Sequence, residues 1–139
     1  MQQSHPPVEV IIEVPRGGFV KRRPDGGVDF VSLLPCPFNY GSVVGTLAAD
    51  GDPQDAVVLG ERLGIGLQVA VTPWLRVVFV DDGQVDDKWI CGEHPPSPQE
   101  RRRIERFFSR YARAKWLLNL ARGRSGETRS GGLCELESR

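Results

Sequence analysis

The sequence predicts a mainly β (α+β) domain, a small closed barrel or a sandwich, with one amphipathic helix packed outside it. Between residues 8 and 92, short apolar runs alternate with glycine and proline, which is typical of many short strands. After residue 97 the apolar period lengthens to that of a helix. With 139 residues, 40% of them hydrophobic, the chain is long enough for one such domain and its core.

Strands are predicted throughout the first two thirds of the chain. Residues 8–14 are rich in β-branched side chains, and a turn follows at residues 16–18. A second turn at residues 24–27 (PDGG) leads into residues 28–34, which predicts a hairpin. The further predicted strands are short apolar runs at residues 57–59, 67–71, 75–80 and 89–91.

A helix is predicted over about residues 98–121. Ser97 is a suitable N-cap, Pro98 fits the first turn, and Glu100 completes a capping box. The stripe that faces the barrel is predicted to contain Ile104, Phe107, Phe108, Tyr111, Lys115 and Leu118. Five arginines fall mostly away from this stripe and are interpreted as a solvated face or a subunit contact: Arg101, Arg102, Arg103, Arg106 and Arg110.

Composition restricts the cellular setting and the partners. The net charge is zero and no aromatic stacking platform accompanies the arginines, so a nucleic-acid partner is disfavoured. No apolar run approaches the roughly 20 residues of a membrane span, and we therefore expect a cytoplasmic protein without a membrane partner. Residues 123–139, rich in Gly, Ser and Arg, are predicted to be a flexible tail after a single domain over residues 1–122.

Two acidic segments indicate the chemistry. Residues 50–55 (DGDPQD) place three carboxylates within six positions, and residues 81–87 (DDGQVDD) add four more. Carboxylates this close repel one another unless a cation lies between them, and oxygen ligands suit Mg²⁺. The alternative for each segment is an acidic surface turn, because Asp and Gly are ordinary turn residues.

The second segment is predicted to form a hairpin with Gln84 near its tip, which would set Asp81 opposite Asp86. Opposed like charges destabilise a sheet, so this arrangement favours a bound cation. Lys88 would share the strand face of Asp86 and bring a positive charge beside the carboxylates. Two or more Mg²⁺ ions held by both segments would suit phosphoryl transfer.

These motifs, in this order, resemble those of the soluble family I inorganic pyrophosphatases. The resemblance is carried by residues 12–15 (IEVP), 38–41 (FNYG), 50–55 and 81–88, and it covers roughly residues 8–92. It implies a five-stranded OB-like closed barrel with the helix outside. It also implies Mg²⁺-dependent hydrolysis of inorganic diphosphate to two phosphates. Members commonly form oligomers, so a homo-oligomer is a further expectation.

The resemblance assigns roles to individual residues. Asp52 matches the general base, and Lys21 and Lys88 match residues that support catalysis. The implied metal ligands are Asp50, Asp55, Asp81, Asp86 and Glu13. The implied contacts to diphosphate are Lys21, Tyr40, Lys88 and Tyr111.

Four departures from the family pattern fall near these positions. Arg23 stands where a Glu is usual, Asp29-Phe30 replaces an Asp-Arg pair, Cys36 replaces a Tyr, and Ala112 replaces a Lys. The loss of an Arg and a Lys predicts weaker diphosphate binding or slower turnover. Two alternatives therefore stay open. One is a metal-dependent phosphohydrolase acting on another phosphate compound, and the other is a non-catalytic Mg²⁺-binding regulatory module.

Overall fold

The computed structural model describes residues 5–18, 20–22, 28–31, 36–48 and 51–136. Within these ranges there is one helix, α1 (Pro98–Ala121). The first strand has the predicted bounds, whereas the bounds of the others differ from the prediction. The strands are β1 (Val8–Val14), β2 (Val20–Arg22), β3 (Val28–Val31), β4 (Asn39–Val43), β5 (Asp55–Val58), β6 (Gln68–Asp81), β7 (Gln84–Val85), β8 (Lys88–Gly92) and β9 (Arg129–Glu135). In these ranges we find no helix with the length and apolarity that a membrane crossing needs.

Five strands form a closed ring. The neighbours around it are β1, β4, β5, β8 and β6, and β6 pairs again with β1. All these pairings are antiparallel except that of β5 with β8, which is parallel. The predicted mainly β class and the five-stranded closure are confirmed. Strands β2 and β3 pair with each other as the predicted hairpin, and its turn at residues 24–27 lies outside the described residues.

Strand β6 corrects the predicted boundaries. The sequence predicts separate strands at residues 67–71 and 75–80, whereas the structure has one strand of 14 residues. Pro73 lies inside it, where the pairing with β8 shifts register between Pro73 and Leu75. A proline has no N–H to donate, so a bulge is where a strand tolerates it. Alternate residues of β6 from Val71 to Phe79 are buried, which gives the strand one core face.

Strand β4 is absent from the predicted set, and its residues explain the FNYG motif. The buried side chain of Asn39 donates to the carbonyls of Val58 (3.2 Å) and Glu61 (2.8 Å). Its Oδ1 accepts from the backbone N–H groups of Arg16 and Leu63. A Cβ on Gly41 would lie 2.0 Å from the carbonyl oxygen of Ile11 in β1, so only glycine fits there. Asn39 and Gly41 thus fix the backbone on both sides of Tyr40.

Helix α1 matches the prediction closely. Ser97 accepts from the N–H of Glu100 (3.1 Å), and the Glu100 carboxylate accepts from the N–H of Ser97 (3.0 Å), so the capping box is formed. The residues it buries are Ile104, Phe108, Ala112 and Asn119. Of the five arginines, Arg101 is half-buried and the other four are exposed, as expected for an outward face.

The prediction of a flexible tail over residues 123–139 is wrong where the structure describes that segment. Residues 129–135 form β9, which pairs antiparallel with β6 along the edge opposite β8. Leu133 packs against the buried cluster under α1. A glycine- and serine-rich composition does not predict such a strand. The strand is stabilised by backbone hydrogen bonds to an edge of β6 that no other described strand occupies there.

Candidate active site

Lys88 is the centre of the site. Its side chain is buried, and Nζ lies 2.9 Å from Asp55 Oδ2 and 2.8 Å from Asp86 Oδ2. The parallel pairing of Ala56 with Trp89 places the residues before them, Asp55 and Lys88, side by side. Both acidic segments therefore meet on one nitrogen, and the predicted position of Lys88 beside the carboxylates is confirmed.

The charge of Lys88 is fixed by its surroundings. Burial alone lowers the pKa of an ammonium group, but the carboxylates of Asp55 and Asp86 outweigh burial and raise the pKa of Lys88 above its ordinary value. The ammonium group also lies 5.8 Å from the centroid of the Tyr40 ring and 5.3 Å from that of Phe79. Lys88 is therefore a permanent cation at neutral pH.

Two tyrosines adjoin this cation. Burial, reinforced by the charge of Asp55, raises the pKa of Tyr40 well above its usual range. Burial likewise raises the pKa of Tyr111 to about 12, against the opposing effect of Lys88. The Tyr111 ring stacks on Phe107, with centroids 5.9 Å apart. Both phenols therefore keep their protons at neutral pH and are hydrogen-bond donors.

The first acidic segment divides into an anchored end and an exposed one. Asp55 opens β5 and is paired with Lys88, whereas Asp52 is exposed and Asp50 lies outside the described residues. Gln54 donates from Nε2 to the backbone carbonyl of Asp87, 2.6 Å away. This bond ties the first segment to the second.

The second acidic segment corrects the predicted hairpin. Val80 pairs with Val85 and Asp81 with Gln84, so the turn consists of Asp82 and Gly83. Both turn residues have positive φ, 50° and 79°, which is the geometry of a two-residue turn with an Asp-Gly sequence. Asp81 is therefore opposite Gln84 and not opposite Asp86.

The first and last aspartates of this segment, Asp81 and Asp87, have different partners. Asp81 accepts from Asn119 Nδ2 at 2.9 Å and lies 3.7 Å from the ammonium of Lys115. Asp87 has one oxygen 2.6 Å from Arg76 Nη1 and accepts the backbone N–H of Phe79 with the other. Asp87 is thus a structural residue, although its sequence context is as acidic as that of Asp86.

Other implied site residues are placed as follows. Glu13 of β1 accepts from the hydroxyl of Ser42 at 2.8 Å. Lys21 lies in β2. Cys36 and Ala112 belong to the buried cluster under α1, so the helix presents no cation at position 112. Arg23 lies outside the described residues, and Asp29-Phe30 lies in β3.

Asn119 is the residue near the site that sequence reasoning missed. It is fully buried in the last turns of α1. A buried Asn among leucines on a helix is a signal of a polar network, but its partners come from distant segments and only the fold reveals them.

The described carboxylates fit a hard cation. Among the described residues, no three side chains of His, Cys, Asp or Glu are placed to share one metal ion. Mg²⁺ usually keeps several waters and uses only one or two carboxylates per ion, so such a triplet is not required. Asp55 and Asp86 already share one cationic partner, which shows that this end of the ring is built around a positive charge.

The comparison with known proteins decides the family. The inorganic pyrophosphatase family model matches residues 10–121 of this chain. The chain belongs to the inorganic pyrophosphatase family. An inorganic pyrophosphatase of Aquifex pyrophilus is 31% identical over 82% of this chain and 80% of its own length. One of Gluconobacter oxydans is 37% identical over 63% of this chain, and the match spans 55% of that protein.

Solved pyrophosphatase structures share the fold. The crystal structure of the Thermus thermophilus inorganic pyrophosphatase superposes with a TM-score of 0.75 and 28% identity, covering 93% of this chain and 82% of that one. The Helicobacter pylori pyrophosphatase matches with a TM-score of 0.74 at 22% identity. The OB-like pyrophosphatase fold implied by the sequence motifs is confirmed.

Proposed function

We propose that this protein hydrolyses inorganic diphosphate to two phosphates and that it requires Mg²⁺. The observation that carries the proposal is Lys88, which contacts carboxylates of both acidic segments beside two protonated tyrosines. Membership of the inorganic pyrophosphatase family supports the same reaction. A buried cation next to acidic oxygens suits a site for a metal and an anionic substrate together.

The residues that would hold Mg²⁺ are Asp55, Asp81 and Asp86, with Asp50 and Glu13 as further ligands. Mg²⁺, when bound, supplies positive charge that makes a water more acidic and offsets the charge of the phosphates. The described members of this set lie at the ends or edges of ring strands and are partly exposed, so solvent and substrate reach them.

The chain's own groups have separable tasks in this proposal. Asp52 is exposed, and it takes the proton of the attacking water. Lys88 and Lys21 neutralise charge that develops on the phosphate oxygens. Tyr40 and Tyr111 donate hydrogen bonds to the phosphates, because their raised pKa values keep them protonated.

A second candidate substrate is favoured by Ala112. Its side chain is 4% exposed within the core, so α1 offers no cation at the position where the family usually has a Lys. A phosphate compound with fewer charges than diphosphate would need fewer cations. Nucleoside monophosphates and other phosphate monoesters, which carry fewer negative charges than diphosphate, are therefore the alternative substrates to compare. A cytoplasmic location and a homo-oligomer stay predictions.

The test is phosphate release from diphosphate by purified protein, with and without Mg²⁺, for the wild type and Asp52→Asn. We expect the variant to lose at least about a hundredfold in kcat, which is the size of a general-base contribution. Glu61→Gln is the matched control, because it removes one exposed carboxylate that has no role in the proposed catalytic or metal-binding set.

The outcomes separate the alternatives. Mg²⁺-dependent turnover that Asp52→Asn abolishes and Glu61→Gln retains supports the proposal. Turnover of a nucleotide or a phosphate ester in place of diphosphate favours the second substrate class. Equal background in all three proteins, with every substrate, would overturn the catalytic proposal and favour a regulatory Mg²⁺-binding module.

A further inference from the structure

The hairpin turn of Asp81, Asp82 and Gly83 is held by residues that the proposed reaction does not use. Besides Asn119, which reaches Asp81, three hydrogen bonds join this turn to the segment between α1 and β9. Asp82 N–H donates to Thr128 Oγ1 (3.0 Å), Gly83 N–H donates to the Glu127 carbonyl (2.7 Å), and Gly126 N–H donates to Asp82 Oδ1 (2.9 Å). We call Asn119, Gly126, Glu127 and Thr128 the C-terminal clamp.

Asn119 bonds both to Asp81 and to Thr128, another member of the clamp. Its Nδ2 donates to Asp81 Oδ1 at 2.9 Å and to Thr128 Oγ1 at 3.2 Å. Its Oδ1 is buried and has no hydrogen-bond partner among the described residues. An unsatisfied buried carbonyl is costly, but the reversed amide would bring that oxygen against the Asp81 carboxylate. Asp81 thereby fixes the amide, and the amide fixes one oxygen of Asp81.

Gly126 shows how closely the clamp approaches the turn. A Cβ at this position would lie 2.4 Å from Asp82 Oδ1 and 2.6 Å from its carbonyl carbon. The second of these atoms belongs to the backbone, so a methyl group would force the clamp and the turn apart. Only glycine permits the contact.

The turn needs this support because its own strand pairing is short. Strand β7 contains two residues, and its pairing with β6 consists of Val80 with Val85 and Asp81 with Gln84. A hairpin of this length is marginal in water without further packing. Beyond the pairing of Val80 with Arg129 on β9, the clamp therefore holds Asp81 and the turn together with this short ladder.

We propose that the C-terminal clamp positions Asp81 for Mg²⁺ binding, because it holds both the Asp81 carboxylate and the turn that follows it. This inference rests on the proposed function, which makes Asp81 a metal ligand. Partners that orient a ligating carboxylate typically change metal affinity by about tenfold or more when they are removed. Asn119 and Thr128 are positioning residues in this scheme and touch neither metal nor substrate.

The experiment compares Thr128→Val with Thr128→Ser in the full-length protein. Valine keeps the shape and removes the hydroxyl that Asn119 and Asp82 contact, whereas serine keeps the hydroxyl. Ser125→Ala is the control, since it changes an exposed hydroxyl of the same loop. Mg²⁺ affinity is measured by titration calorimetry at a temperature where every variant is folded, and melting temperature is measured with and without Mg²⁺.

Gly126→Ala provides a second variant that does not depend on the hydroxyl. Its matched control is Gly64→Ala, because a Cβ at Gly64 meets nothing within 4 Å. We expect Thr128→Val and Gly126→Ala to weaken Mg²⁺ binding by about tenfold, and Thr128→Ser and both controls to retain wild-type affinity.

Wild-type Mg²⁺ affinity in folded Thr128→Val and Gly126→Ala would overturn the inference, even if their metal-free melting temperatures fall. That result would leave a structural role only. A wild type that binds no Mg²⁺ would overturn the metal site itself, and with it the proposed function. The two failures are thus distinguishable in the same experiment.

Discussion

The two acidic segments are alike in composition and opposite in construction. In residues 81–87 the described aspartates are each tied to named partners on β6, β8, α1 or the C-terminal clamp. In residues 51–55, Asp55 is paired with Lys88 and Gln54 donates to the Asp87 carbonyl, whereas Asp52 is exposed. The second segment is thus held by side-chain contacts throughout, whereas the first includes an exposed carboxylate, that of Asp52.

This difference separates the aspartates by the partners that hold them. Both oxygens of Asp87 accept from donors within β6, Arg76 and the N–H of Phe79, so its carboxylate is held in a structural role. Asp55 and Asp86 instead share a single ammonium group. Their common partner is one cation, which Mg²⁺ would supplement under the proposed function. The number of aspartates alone does not separate these cases.

Removing that cation is expected to have the largest effect. Lys88→Met leaves Asp55 and Asp86 facing each other in a mostly buried site, and we expect a loss of about 3 kcal/mol in the free energy of unfolding without Mg²⁺. Mg²⁺ should restore part of this stability, because it replaces the missing charge. Diphosphate turnover should fall as well.

Denaturant unfolding with and without Mg²⁺ checks this prediction. Arg103→Gln is the control, since it removes one exposed positive charge from the outer face of α1. A loss below about 1 kcal/mol for Lys88→Met would mean that its ion pairs are no stronger than ordinary surface pairs. The distinction between Asp55 and Asp86 on one side and Asp87 on the other would then disappear.

The sequence predicts elements whose signals are local and misses those that depend on distant partners. The bounds of β1 and the capping box of α1 follow from β-branched residues and from Ser97 with Glu100. Strand β9 and the role of Asn119 depend on the edge of β6 and on Asp81, far away in the chain. No local pattern encodes such contacts.

The hairpin shows a different kind of error. The Asp-Gly pair at residues 82 and 83 is a strong turn signal, yet the even spacing of the aspartates favours a tip at Gln84. The structure follows the turn chemistry, because Gly83 adopts a φ of 79° without strain. The contact of Lys88 with Asp86 is predicted correctly, although Asp86 precedes β8 and the predicted strand alternation does not extend to it.

Neighbouring aspartates provide the sharpest test of the comparison. Asp86→Asn should weaken Mg²⁺ binding by at least about tenfold, because it removes a proposed ligand. Asp87→Asn should leave Mg²⁺ affinity unchanged and cost about 2 kcal/mol of stability, through the weakened bonds to Arg76 and Phe79. Titration calorimetry and denaturant unfolding of both variants check the pair. The reverse pattern would exchange the assigned roles.

Alkaline pH probes the buried end of the site. The pKa of Tyr111 is raised by burial from 10.0 to about 12, so the unfolded chain releases this proton first. The stability due to the protonated phenol is complete below pH 10 and is lost as the pH rises towards 12, a loss of about 2 kcal/mol.

Tyr111→Phe should therefore show a shallower fall in stability between pH 10 and 12 than the wild type. Both proteins share the buried thiols Cys36 and Cys91, whose pKa values are also raised by burial, so the difference between them isolates Tyr111. Chemical denaturation at several pH values measures it. Parallel pH profiles would show that the Tyr111 phenol ionises as readily folded as unfolded.

The smallest effect is expected on the outer face of α1, which differs most from both acidic segments. Arg102, Arg106 and Arg110 are exposed, and we interpret their charge as solvation of the helix. Substituting all three by Gln should change stability by less than about 0.5 kcal/mol per site and leave KM for diphosphate unaltered. A raised KM would mean that these arginines steer the anionic substrate, in which case charge outside the site contributes to its function. A shift in sedimentation coefficient would instead identify this face as a subunit contact.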